Sequence, residues 1–281
     1  MTVFLIIISI IVTIMVGVII FDSNRFVIRE YTIETDKTEK DVDILFLSDL
    51  HCKEFGKENS RLLKAVSDIE ADICLMAGDM IDANPGKSTD PSVKVLSYIN
   101  KKMPVICSFG NHEYRTKLYP DVYGSMYNDY CKQLQGEGLR LYDNEKTSMF
   151  GMDVYSLSID RKYYKRFTTP VMPLSEITNK LGTPSEDTFS VLLAHNPDYF
   201  NEYTEWGADL ILSGHVHGGI VRIPGIGGVL SPRVTFFPKY DGGIFSKGIS
   251  RMIVSRGIGA HSIPLRMFNP AEIIIIHIKR S

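Results

Sequence analysis

The sequence predicts an α/β protein preceded by a membrane-spanning helix, and three observations carry that reading. Between Val42 and Gln135, short and nearly continuous apolar runs alternate with segments of helical periodicity. Runs without polar alternation are what strands look like when both faces of a sheet are covered. After His217 the chain turns rich in Gly, Pro and β-branched residues, the composition of further strands. The stretch Val3–Phe21 carries no charged residue, and a helix of that length rises roughly 28 Å, about one hydrocarbon core.

Residues 1–21 are therefore expected to be an uncleaved transmembrane anchor. A signal peptide would want a basic start, a shorter apolar core and a small-residue exit. Here no Lys or Arg precedes the apolar stretch, and Asp22-Ser23-Asn24-Arg25 follows it. Residues 22–41 read as a linker with an edge strand over Tyr31–Thr35. Arg25, Arg29, Lys37 and Lys40 follow the span, so the positive-inside rule puts the large domain in the cytoplasm of a single-pass membrane protein. Residues 42–281 form that domain.

Within it, Val42–Leu47, Ile73–Met76 and Pro104–Ser108 read as strands. Leu62, Val66 and Ile69, then Val93, Leu96 and Ile99, then Tyr123, Tyr127, Tyr130 and Leu134 recur at helical spacing. Later strands are expected at Ser190–Ala194 and Ala208–Ser213. A second sheet is expected to take 220–223, 228–230, 243–245, 251–255 and 273–278. The formal net charge of −2 gives no global attraction to polyanions, and no specific nucleic-acid binding is expected. The four cysteines, Cys52, Cys74, Cys107 and Cys131, form no CxxC pair and read as free thiols.

Each strand of the first half ends in residues that carry chemistry. Asp49-Leu50-His51 follows the first, Gly78-Asp79 the second and Gly110-Asn111-His112 the third. His195 and Gly214-His215-Val216-His217 end two strands of the second half. In α/β sheets, sites form at the carboxyl ends of the strands. Side chains alternate across a strand, so Asp49 and His51 are expected to project together while Leu50 points away, and His215 and His217 to do the same around Val216. Carboxylate, amide oxygen and imidazole without thiolate suit Mn²⁺, Fe, Zn²⁺ or Co²⁺. Two such ions activate water and clamp a phosphoryl oxygen, so the expected reaction is phosphoester hydrolysis. His112, beside a ligand, is placed to act as general acid.

Taken together, DxH, GD, GNH, H and GHxH resemble the calcineurin-like metallophosphoesterase superfamily over residues 42 to about 279. The resemblance implies that Asp49, His51 and His217 hold one divalent ion. It gives Asn111, His195 and His215 to the other, with Asp79 bridging and His112 as the acid outside the coordination shell. It also implies a four-layer α/β/β/α sandwich of two mixed sheets flanked by helices. Gly218-Gly219, Arg222-Ile223-Pro224, Ser255-Arg256-Gly257-Ile258-Gly259, Pro264-Leu265-Arg266 and Pro270-Ala271-Glu272 are similar to membrane-linked bacterial members, although the twin-arginine export signal of some is lacking.

The substrate expected on these grounds is a phosphodiester or pyrophosphate, in one version lipid-linked. The alternatives are a phosphomonoesterase on nucleotides or phosphoproteins, and a non-catalytic metal-binding scaffold. Glu113 and Asp82 either join the site or, as acids in loops more often do, face solvent or cap helices, and the second reading is favoured. The basic run 161–166 docks on anionic headgroups or a phosphorylated substrate, or is a plain solvated loop. Arg256, His261 and Arg266 either contact substrate or brace the main chain. Protein partners are not legible.

Overall fold

The computed structural model describes residues 1–165, 167–231, 235–259 and 265–281. The first element, α1 (Thr2–Ser23), is long and apolar enough to cross a membrane, and no part of its most apolar window packs against the rest of the chain. At its foot, β1 (Phe26–Thr35) starts at once, so the strand begins five residues before the expected Tyr31. The chain continues through β2 (Val42–Leu47), α2 (Ser60–Ser67), β3 (Ile73–Met76), α3 (Asp90–Asn100) and β4 (Val105–Ser108). Next come α4 (Asn111–Leu118), α5 (Pro120–Tyr123), α6 (Met126–Gly136), β5 (Leu141–Tyr142), β6 (Glu145–Met149) and β7 (Met152–Leu157). The remainder holds α7 (Ser175–Leu181), β8 (Phe189–Ala194), α8 (Phe200–Trp206), β9 (Leu210–Ser213), β10 (Arg222–Ile223), β11 (Gly227–Gly228), β12 (Gly243–Lys247), β13 (Ser250–Val254) and β14 (Ala271–Arg280).

Two six-stranded sheets result, ordered β1-β14-β2-β3-β4-β5 and β12-β13-β9-β8-β7-β6. Both are mixed: β2 to β5 run parallel, as do β7, β8, β9 and β13, while β14 is antiparallel to β2 and parallel to β1. Strand alternation sorts the apolar side chains into three cores. Leu45, Leu47, Cys74 and Met76 face α2, α3 and α6. Ile44, Phe46, Ile73 and Leu75 face Val191, Leu193, Leu210 and Leu212 of the other sheet. Leu192, Ala194 and Ile211 turn outward onto Ile177, Tyr203 and Trp206 of α7 and α8. The layers are therefore α/β/β/α, and each fully buried Leu or Ile contributes about 1.5–3 kcal/mol.

The chain's last strand departs from the expectation that it joins the second sheet. β14 lies inside the first sheet, between β1 and β2. The reason is its four consecutive isoleucines: Ile273 enters the core under the helices, while Ile274 and Ile276 enter the core between the sheets. Only an internal strand uses both faces in that way. Residues 222–223 and 227–228 also leave the second sheet and form a ribbon of their own.

Candidate metal centre

The parallel strands of both sheets end at the same place, and the candidate ligands follow them. Hydrogen bonds join the sheets there. His195, after β8, donates Nδ1–H to the Ala77 carbonyl after β3 at 2.7 Å. The His215 amide, after β9, donates to Asp49 Oδ1 and Oδ2 at 3.0 and 3.1 Å. Ser48 donates its hydroxyl to the same carboxylate.

Strand alternation does not aim these side chains, contrary to the reading of DxH and HxH as extended. The strands stop at Leu47, Met76 and Ser213. Asp49 (φ 54°), His51 (φ 48°), Asp79 (φ 54°), His215 (φ 70°) and His217 (φ 53°) all take the left-handed conformation. Asp, Asn and His reach it more readily than other side chains, but it remains strained for them. Gly78 (φ 89°) enables the fold-back after β3, because a Cβ there would collide with the Gly110 backbone.

Three groups of ligand atoms result: Asp49, His51 and His217; His51, Asp79 and His112; Asp79, His195 and His215. Within them His217 Nε2 lies 3.2 Å from Asp49 Oδ1 and 3.1 Å from His51 Nε2. His195 Nε2 is 3.1 Å, and His51 Nε2 3.8 Å, from Asp79 Oδ2, so one carboxylate oxygen faces both histidine groups. Asn111 opens α4 with its amide oxygen buried and without a hydrogen-bond partner among the described residues. Asp49 and Asp79 are buried, and neither lies within ion-pair distance of a Lys or Arg among those residues. Of the basic side chains among the described residues, only imidazoles face these two carboxylates, and carboxylate with imidazole and amide oxygen is a donor set that fits divalent metal ions.

The electrostatics agree. Burial alone would raise the Asp49 carboxyl; the His217 and His195 imidazoles outweigh it and hold it well below the usual range. Asp79 is held down against burial by His195 and His112. Burial opposes charge on His195, yet Asp79 beside it lifts that imidazole to about 9. Its Nδ1–H is committed to Ala77, so Nε2 is the atom that would release a proton to accept a metal.

His112 sits on the first turn of α4, in a helix where the sequence reading has a loop. Its Nδ1 accepts the Ala83 amide at 2.8 Å, with Asp82 Oδ1 at 3.3 Å. Nε2, 3.9 Å from Asp79 Oδ2, is the nitrogen that points to the site. Burial lowers the His112 pKa, and Asp79 and Asp82 more than reverse that.

Glu113 is the residue that the sequence reading undervalued. It is fully buried, and its Oε2 accepts the amides of Asp79 and Gly110 at 2.9 Å each. Its Oε1 accepts those of Met80 and Ile81 at 2.7 and 3.1 Å. It caps α4 from the third helical position and ties the GD loop to the GNH loop with one carboxylate. The signal was a Glu three residues after Gly110, the far half of a capping box. Glu113→Gln would turn an NH₂ onto two of these four buried amides, at a cost of about 2–4 kcal/mol. The expected result is a melting temperature lower by about 5–10 °C and metal affinity weaker by about 10–100-fold. Calorimetry with metal titration checks this, and an unchanged protein would refute the tie.

Other candidates divide. Arg266 is buried and donates to the carbonyls of Arg256, Gly257 and Gly259 at 2.8, 3.1 and 2.5 Å, so it braces main chain. Arg256 turns toward Glu272. From the basic run, Tyr164 sets its ring edge-on to His215, centroids 5.1 Å apart, which places that run at the rim of the site. Arg166, His261 and Pro264 lie outside the described residues.

Comparison with known proteins follows the same outline. The chain is similar to a metallophosphoesterase of Aquifex aeolicus described as uncharacterised, 29% identical over 90% of this chain and 91% of the relative. It is 26% identical to metallophosphoesterase YkuE of Bacillus subtilis, also described as uncharacterised, over 89% of this chain and 84% of that one. It is 21% identical to the UDP-2,3-diacylglucosamine pyrophosphatase LpxG of Chlamydia muridarum, over 83% of this chain and 82% of that one. The calcineurin-like phosphoesterase family model matches residues 42–219. Since that match runs from the first residue of β2 past the last of the candidate ligands, over well more than half of the chain, the protein belongs to the calcineurin-like phosphoesterases, metal-dependent hydrolases of phosphoesters.

Proposed function

We propose that the protein is a membrane-anchored, two-metal phosphoesterase that cleaves phosphodiester or pyrophosphate bonds in a lipid-linked substrate. The observation that carries this reading is the position of Asp79, whose Oδ2 stands between His195 and His51 and so can serve two cation sites at once. Asp49, His51 and His217 would hold one ion; Asn111, His195 and His215 would hold the other; Asp79 would bridge them. The donor set admits Mn²⁺, Fe, Zn²⁺ or Co²⁺. When bound, such a pair supplies an ionised water and charge stabilisation at phosphorus. The remaining work falls to the chain: Glu113 holds the two loops in place, and His112 delivers the Nε2 proton to the leaving oxygen.

The lipid-linked part rests on two supports. The apolar α1 suits a bilayer span, and the relative from Chlamydia muridarum is named for a pyrophosphate bond in a diacylated sugar nucleotide. Arg25, Arg29, Lys37 and Lys40 after the span favour a cytoplasmic catalytic domain.

The full chain in nanodiscs, loaded with Mn²⁺, is expected to hydrolyse bis-(p-nitrophenyl) phosphate faster than p-nitrophenyl phosphate, and to lose both activities in EDTA. A preference for the monoester would favour the alternative monoesterase. A chain inert with Mn²⁺, Fe²⁺, Zn²⁺ and Co²⁺ alike would favour the scaffold.

A further inference from the structure

We propose that the ribbon following the last candidate ligand is a second membrane contact, seated in the same lipid bilayer as α1. The inference rests on the anchor reading above and extends it to a named surface. β10 and β11 pair with each other, and the chain around them adds two irregular neighbours. Val221 bridges Met267, and Leu230 bridges Phe236. Main-chain bonds from Ile220 to Leu230 (2.7 Å), Arg222 to Met267 (3.0 Å) and Phe237 to Val229 (2.9 Å) make one platform of these segments.

That platform presents large apolar side chains to the outside. Ile223, Ile226, Phe236, Phe237 and Phe268 are between 43% and 68% exposed. Five such side chains, on the ribbon and on the segments bonded to it, expose apolar area of the kind that marks an interaction surface.

Its occupant follows from what it is attached to. The amide of Asn269, next to Phe268, donates to Asp22 Oδ2 at 3.2 Å, and the amide of Arg266 donates to Ser23 Oγ at 3.2 Å. Asp22 and Ser23 form the last turn of α1, and Asp22 is buried, so the foot of the apolar helix is built into the platform. A helix whose most apolar window has a mean hydropathy of 3.3 and is not buried against the described residues has hydrocarbon as its matching solvent. The bilayer surface then lies at the level where the platform joins. The local chemistry suits that level: Arg25 stacks over Phe21, 4.8 Å from the ring centre, and Phe236-Phe237-Pro238 is followed by Lys239. Aromatic rings beside basic groups populate headgroup boundaries.

The same platform reaches the metal centre. Asn269 Nδ2 donates to the carbonyls of His217 and Gly219 at 2.7 and 2.6 Å, and Arg222 donates to Gly218 at 2.8 Å. One asparagine therefore holds both the foot of α1 and the backbone of a candidate ligand. A platform lying in the headgroup layer sets the site against the bilayer surface, where a phosphate carried by a lipid arrives.

The test uses the full chain in vesicles of phosphatidylcholine and phosphatidylglycerol with brominated acyl chains, which quench tryptophan on contact. The native Trp206 is buried and serves as the internal control. Phe21→Trp reports the helix, and Phe236→Trp reports the ribbon at an exposed aromatic position. The expected result is that both variants lose about half of their added emission, as a ring at the headgroup–acyl boundary does, while the wild type is unchanged. Quenching of Phe21→Trp without Phe236→Trp overturns the inference and leaves the anchor standing. Quenching of neither overturns both. A blue-shifted Phe236→Trp emission that bromine does not touch also overturns it, assigning the ribbon to a second copy of the chain.

Discussion

Asp79→Asn is expected to lower kcat on a phosphodiester by about 10³-fold or more, the largest effect of any single substitution in this protein. The amide keeps the size and shape of the side chain but removes the charge that faces both histidine groups. The loss is several kcal/mol of transition-state charge stabilisation, at about 1.4 kcal/mol per decade of rate. The hydrogen bond from the His112 amide to Oδ1, 2.7 Å, survives on the amide oxygen, so the fold is expected to hold. Elemental analysis should show reduced metal content, because in the proposed arrangement Asp79 is a ligand shared by both sites. Wild-type turnover with full metal content would remove Asp79 from the role assigned to it. Loss of activity with unchanged metal content would point instead to its support of His112.

His112→Gln is expected to cost about 10²–10³-fold, and the size of the loss should depend on the leaving group. An alkoxide needs a proton as it departs, whereas p-nitrophenolate leaves readily without one. A substrate with an alkyl leaving group should therefore show the full loss, and bis-(p-nitrophenyl) phosphate only a small fraction of it. Metal content should stay at the wild-type level. Equal losses on both substrates, with metal missing, would make His112 a ligand, a role that its place in one of the three ligand-atom groups permits.

The layers of this fold were readable where one strand feeds two cores. Ile44 and Phe46 face one way and Leu45 and Leu47 the other, and a six-residue apolar run is the trace such a strand leaves. α4 was not readable. Asn111–Leu118 has no apolar stripe, and it holds through a buried glutamate at its third position and through His112 and Thr116 packed beneath it. β6 escaped for the opposite reason: it is a sheet edge whose residues alternate between half-buried and exposed, so its composition resembles a loop. The placement of β14 next to β1 depends on contacts between the two ends of the chain, which local periodicity does not encode.

The motifs around the site were legible as types and spacings. Asp49, His51, Asp79, His195, His215 and His217 do converge. How they converge was not legible, because extended backbone was the natural assumption and the chain instead turns left-handed at five of the six. Glu113 caps its helix, one of the two fates expected of it, but its tie to the GD loop was not legible, because those amides lie some thirty residues away in the sequence.

Those five left-handed residues carry a consequence for the lifetime of the protein. Each costs about 1–2 kcal/mol, and together they approach the whole margin by which an ordinary domain stays folded. Metal ions that bind these residues only in the folded chain offset that cost by mass action. A cell short of the metal would then lose more than turnover: the empty polypeptide would open more often, and housekeeping proteases would remove it. Abundance, as well as rate, would follow the metal supply.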